Sequence, residues 1–256
     1  MNLQNSKKVY SLILFLLIQS SFFVLAEPKI INAEFQKAIS LEESGQLNKA
    51  ADEYRRLLKL NSKNALAWNN LGLIQQKLGK LDKAEMCYQK ALKLAPDEAQ
   101  AYNNFASLKI QKSQFKDAES LYLQAIDKQP DYPYSYNNLA NYYQKRKQFF
   151  KAVEYYKKAI DKAPIAEFYY NLGLIYFDMK KYDDMIETFH EALEKDPKFI
   201  NAYYSLALAY LYNLNEQTKE KSNKNFNFVF RKLKELAPFR ADEFSRKFLA
   251  GKTPLK

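Results

Sequence analysis

Cysteine is nearly absent: Cys87 stands alone among 256 residues, so no internal disulfide is available to hold the chain together. Histidine is as scarce, and His190 with Cys87 cannot form the clustered ligands of a zinc site, so both are read as ordinary helix residues. With only five Gly and eight Pro, and with abundant Lys, Tyr, Leu and Ala, the chain has few turn formers and a helical composition. Nothing in it matches a nucleophile elbow, a phosphate-binding loop or a metal cluster, so no enzyme motif is expected and no cofactor.

One apolar run stands at the start. Lys7 and Lys8 precede Leu12 to Ile18, and Val24 and Ala26 supply small residues, which reads as a secretory signal over 1–26 with the mature chain beginning at Glu27. An uncleaved anchor from Val9 to Ala26 is the alternative, although Ser11, Gln19, Ser20 and Ser21 thin its hydrophobicity. Either way the body is expected on the exported side, periplasmic or secreted, or tethered by its N-terminus and facing the periplasm.

What the chain does contain is repetition. Trp68, Tyr102, Tyr136, Tyr169 and Tyr203 recur at spacings of 34, 34, 33 and 34, followed three residues on by Leu71, Phe105, Leu139, Leu172 and Leu206 and then by Gly72, Ala106, Ala140, Gly173 and Ala207. Later columns keep phase: Ala84, Ala118, Ala152, Met185; Tyr88, Tyr122, Tyr156, Phe189; Ala91, Ala125, Ala159, Ala192; Pro96, Pro130, Pro164, Pro197. Trp68, Leu71, Gly72 and Gln75 share one helical stripe, and Ala84, Tyr88 and Ala91 share another. Each unit therefore predicts two helices that pack through small residues and end at a proline.

This pattern of Trp, Leu-Gly, Tyr, Ala, Phe and Pro resembles the tetratricopeptide repeat, and residues 65 to 98 match it almost fully. The resemblance implies an all-α protein, a right-handed superhelical solenoid of about six stacked antiparallel helix pairs. Residues 31–64 form a weak first repeat, keeping Ala38, Gly45, Ala50 and Tyr54 but placing Glu34 and Lys37 in core columns. Four well-matched repeats occupy 65–199, and a divergent sixth spans 200–238 with about seven extra residues around EQTKEKS. A capping helix and basic tail follow over 239–256, with Ala241, Phe244, Phe248 and Leu249 as its apolar face and Gly251 and Pro254 closing it.

Between the core columns lie paired asparagines, Asn69-Asn70, Asn103-Asn104 and Asn137-Asn138, which a helix interior does not favour. They fall about 100° and 200° around the helix from the core aromatic, outside its stripe. By resemblance, first helices line the concave face of such arrays, so Asn70, Asn104, Asn138 and Asn171, with Asn141 one turn on, are expected to face a peptide-binding groove, and Asn69, Asn103, Asn137, Lys77, Lys145 and Tyr170 are expected to contribute to the same binding face. An amide both donates and accepts, so a row of them suits an extended backbone whatever its sequence. The row resembles the ladder of the repeat domain in O-linked N-acetylglucosamine transferases, whose catalytic part has no counterpart here. The alternative is that these asparagines serve local hydrogen bonding. Tyr170 and Tyr204 take the place of the first asparagine in later units, turning the face aromatic. Charged clamps for acidic C-termini, another role in this family, would need cations where Asn69, Asn103 and Asn137 stand; only Lys77 and Lys145 remain deeper in.

The expected function is a non-enzymatic interaction scaffold of the cell envelope that holds a protein or peptide partner's extended segment. The alternative is a structural assembly component using its convex surface or its basic end. Residues 216–256 carry eleven Lys and Arg against five Asp and Glu, within a formal net charge of +11. Contact of that end with an anionic surface is expected; nucleic acid is not, after export.

Overall fold

The computed structural model describes residues 33–212 and 219–249. The N-terminal apolar segment, the first three residues of the EQTKEKS stretch, and Gly251 and Pro254 lie outside the described residues. Everything described is helix and short turn, with no strand among the described residues. Helix α1 covers 33–43; then come α2 (Leu47–Leu60), α3 (Ala65–Lys77), α4 (Leu81–Leu94), α5 (Ala99–Gln111) and α6 (Phe115–Lys128). They are followed by α7 (Pro133–Lys145), α8 (Phe149–Lys162), α9 (Ala166–Asp178), α10 (Tyr182–Lys195), α11 (Ile200–Leu211), α12 (Lys219–Leu236) and α13 (Pro238–Phe244), which a π-helical turn, Ser245–Leu249, extends. The all-α fold of consecutive helix pairs is as expected. Helices gather into two compact units that divide between Leu121 and Tyr122, inside α6.

First and second helices bury differently. In α4 a single stripe is buried, Ala84, Cys87, Tyr88 and Ala91, whereas α3 buries Ala67, Asn69, Leu71, Gly72, Ile74 and Gln75, which span more than one side. The first helix of a pair is thus wedged between neighbours, and its small residues set how near they come. A Cβ added at Gly72 would sit 2.7 Å from the Tyr88 ring, and one at Gly173 2.5 Å from the Phe189 ring, so the second-helix aromatic lies directly on the first-helix backbone.

Turns inside each pair share one geometry. Gly45, Gly79, Ser113, Lys147 and Lys180 all take positive φ, 74°, 72°, 60°, 57° and 58°. Around Gly79 the amide of residue 79 donates to Gln76 O at 3.0 Å and that of Lys80 to Gln75 O at 2.9 Å, the crossed pair that satisfies the last carbonyls of a helix. Glycine takes this conformation freely, whereas Ser113, Lys147 and Lys180 hold it against Cβ repulsion of roughly 1 kcal/mol or more.

Turns between pairs are tied by the aromatic column. Tyr102, Tyr136 and Tyr203 donate their hydroxyls to the carbonyls of Pro96, Pro130 and Pro197 at 3.0, 2.9 and 3.2 Å, and the Trp68 indole does the same to Ser62 O at 2.9 Å. This explains why the column holds Trp and Tyr: each ring fills the core while its polar tip holds the preceding turn. In the unit that is one residue short, Phe168 fills the space instead, fully buried against Tyr136, Ala159 and Ile165 and edge-on to Tyr134.

The sixth pair absorbs part of its insertion as helix. At 18 residues α12 exceeds the 14 of α10, and the buried Ser222 in its first turns donates to Tyr210 O at 3.1 Å. Its large residues close the end: Phe226 stacks on Phe230 at 5.3 Å, and the buried Phe244 of α13 meets Phe230 at 5.3 Å and Phe248 at 5.1 Å.

Candidate functional site

In the first unit, α3 and α5 lie side by side and are joined by polar side chains. The Asn104 amide donates to Asn69 Oδ1 at 3.1 Å, and farther along Gln76 Nε2 approaches Ser107 Oγ at 3.5 Å. In the second unit, Asn171 donates to Asn137 Oδ1 at 3.0 Å, Gln144 to Asp178 at 3.3 Å, and the Tyr170 hydroxyl meets Ser205 Oγ at 3.3 Å. A row of rungs therefore runs from each first helix to the next within each unit.

Three of the eight candidate asparagines sit otherwise than expected. Asn69, Asn103 and Asn137 are 2%, 5% and 5% exposed, so they lie within the packing and not on an open face. Rotation by 100° from the core stripe of their own helix turns them toward a neighbouring first helix, because first helices are packed on more than one side. In the two rungs seen, the first asparagine of one repeat accepts from the second asparagine of the next.

The remaining candidates, Asn70, Asn104, Asn138, Asn141, Asn171 and Tyr170, are half-buried. Second-helix tyrosines orient two of them, and two glutamines beside them. Asn70 donates to the Tyr54 hydroxyl at 3.2 Å; Tyr88 donates to Gln76 Oε1 at 2.9 Å; the single Tyr156 proton is shared between Asn141 Oδ1 at 2.6 Å and Gln144 Oε1 at 3.0 Å. Burial raises all three phenols, so they remain neutral hydroxyls at any physiological pH. The repeated Tyr at 54, 88 and 156, where a core needs only a ring, was the sequence signal for this layer.

At the next position of that column stands Phe189, without a hydroxyl, and the polar layer gives way. Tyr170 stacks on Phe189 at 5.3 Å and meets Phe199 edge-on at 5.4 Å. Beside them an apolar cavity of about 150 Å³ is lined by Leu174, Phe177, Met185, Phe189, Ser205 and Leu208. The two lysines differ: Lys77 is held by Glu42 at 2.8 Å, while Lys145 is exposed at the end of α7. Desolvation raises the Cys87 thiol to about 11, which leaves it an unreactive core residue. His190 Nε2 lies 2.9 Å from the Tyr210 hydroxyl.

Tetratricopeptide repeat models match residues 65–98 and 166–199, 99–132, and 121–154, and a TPR repeat model matches 40–79. Together these spans take in more than half of the chain. The protein belongs to the tetratricopeptide repeat family, whose members generally serve as interaction scaffolds for proteins or peptides and are typically non-enzymatic. No curated protein matches it by sequence. Among solved structures, yeast Tom70 is similar at 20% identity and a TM-score of 0.71, over 86% of this chain and 46% of its own. Pseudomonas aeruginosa pilF aligns at 18% identity and 0.64, over 87% and 99%. YrrB, described as a TPR protein with an unusual peptide-binding site, aligns at 19% and 0.50, over 77% and 99%. At these identities the likeness carries the fold.

Proposed function

We propose that this protein is a non-enzymatic scaffold that binds an extended segment of a protein partner along its first helices. The observation that carries the reading is the set of half-buried amides, Asn70 and Asn104 in one unit and Asn138, Asn141 and Asn171 in the other, on helices whose apolar sides are already packed. Asn70, Asn104, Asn141 and Asn171 are oriented by their tyrosine and asparagine neighbours, and an amide so held keeps further donor or acceptor capacity for a peptide backbone. Tyr170 and the neighbouring apolar cavity would take an apolar side chain of the same segment. Lys145 would offer a charge; Lys77 is already neutralised by Glu42.

The proposed place of action is the cell envelope. Support comes from Lys7, Lys8 and the Leu12–Ile18 run, which suit export with cleavage before Glu27, or retention as a periplasm-facing anchor. An intact mass beginning at Glu27 is expected from the native protein; a mass retaining Met1 would rule out cleavage. For binding, a photo-crosslinking side chain at Asn138 should trap a partner that the same group at the exposed Lys116 does not. Trapping from Lys116 alone would contradict a first-helix site.

A further inference from the structure

The tip of the α7–α8 pair reads KRKQFFK, residues 145–151: four cations, no acid, and two adjacent phenylalanines. Phe150 is 81% exposed, the most exposed large apolar side chain among the described residues. The repeats supply an internal control. Counted three residues past the positive-φ turn residue, the same position is Asn48, Asp82, Lys116 and Asp183 in the other units, polar every time. Nothing in the helix-pair design asks for a phenylalanine there, and burial does not explain it.

The turn residue departs from pattern as well. Gly45, Gly79 and Ser113 hold positive φ in earlier repeats, but here Lys147 does so at φ 57°, and Lys180 at 58° on the neighbouring tip. A lysine in this conformation costs stability that glycine would not, and it sets a cation at the turn of each of these two tips. The two tips meet: Lys147, Phe149, Phe150 and Lys151 share a shallow pocket with Met179. Lys180 and Lys181 extend the cationic side, opposed by Asp183 and Asp184, of which Asp184 lies 3.9 Å from Lys181.

We propose that these two tips form a docking surface for an anionic membrane, with Phe150 and Met179 entering the interfacial layer and the lysines meeting lipid headgroups. A ring standing free on a projecting tip suits a fluid phase that closes around it; a protein partner would need a matched socket. The charges are mostly lysine ammonium groups, point charges on flexible stems rather than the planar forks that read one carboxylate or phosphate. This surface is separate from the first-helix amides and from the basic segment 216–256.

The test is co-sedimentation of the full chain with vesicles of phosphatidylcholine alone or mixed with phosphatidylglycerol. Binding only to the mixed vesicles, weakened by salt, is expected. Phe150→Ser should weaken it about tenfold and Lys147→Gly about fivefold. Phe150→Ser should melt as the parent does and Lys147→Gly at or above it, so lost binding cannot be laid to unfolding. Neutralising the exposed Lys224 and Arg231 of α12 gauges the C-terminal basic segment separately. Equal binding to both vesicle types, or unchanged binding by both tip variants, would overturn the proposal. So would Phe150-dependent binding to polyglutamate without binding to vesicles, which would identify an acidic protein partner instead.

Discussion

The Asn104 amide donates to Asn69 Oδ1 at 3.1 Å, joining two helices through residues 35 positions apart, with Asn69 only 2% exposed. The same link recurs between Asn171 and Asn137 at 3.0 Å. A paired-asparagine motif repeated at the helix-pair period thus builds its own rung: one amide in the packing accepts, and the other, one repeat later, donates.

Removing the donor should therefore cost stability. Asn104→Ala leaves the buried Asn69 carbonyl without this bond, a loss of about 1 to 3 kcal/mol even though alanine is the better helix former. Urea unfolding of the variant should show a lowered midpoint. An unchanged midpoint would mean that the rung is replaced by water.

Gln75 presents the opposite case. It is 2% exposed, and neither atom of its side-chain amide has a hydrogen-bond partner. Gln75→Leu should remove that desolvation cost and stabilise the protein by about 1 to 3 kcal/mol. Thermal melting checks it, and a lowered melting temperature would contradict the desolvation account.

Glu85 bridges Lys109 at 2.6 Å and Lys112 at 2.7 Å, and Lys109 also lies 5.0 Å from the Phe105 ring centre. Burial pushes the carboxyl up, but the hydrogen bonds and charges of the two lysines outweigh it and hold its pKa below 4.5. A depressed folded value means that its stabilisation is present above pH 4.5 and fades as pH falls through the lower folded value. The parent should melt above Glu85→Gln at neutral pH, with the gap narrowing on acidification below about pH 4.5. A gap independent of pH would contradict the ion-pair account.

Phe168 occupies the one-residue-short unit with no exposure at all. Its neighbours are set around a full ring, so Phe168→Ala should cost about 3 to 5 kcal/mol. A loss under about 1 kcal/mol would mean that the shorter turn relaxes into the space.

The helix pairs were legible because their core columns recur in phase, and a small residue, a ring or a proline has one physical use at each. Asn69, Asn103 and Asn137 were misplaced because a helical wheel shows only one helix, and 100° from its stripe means solvent only if nothing packs there. The positive-φ turns at Ser113, Lys147 and Lys180 carried no glycine to announce them. The tyrosine hydroxyls that orient Asn70, Gln76 and Asn141 looked like core rings in the sequence, where their partners sit 12 to 16 positions away.

The peptide-binding reading is tested most directly by calorimetry on the crosslinked partner's segment with two double variants. Asn69→Ala with Asn137→Ala alters amides in the packing and should lower the melting temperature while leaving affinity nearly intact. Asn138→Ala with Asn141→Ala alters half-buried amides; Gln144 still accepts from Tyr156 at 3.0 Å, so melting should move little. Affinity should fall by about 1 to 3 kcal/mol, roughly five- to 150-fold, for the loss of two neutral hydrogen bonds. Unchanged affinity in this second variant, with the partner still bound, would contradict the proposed site.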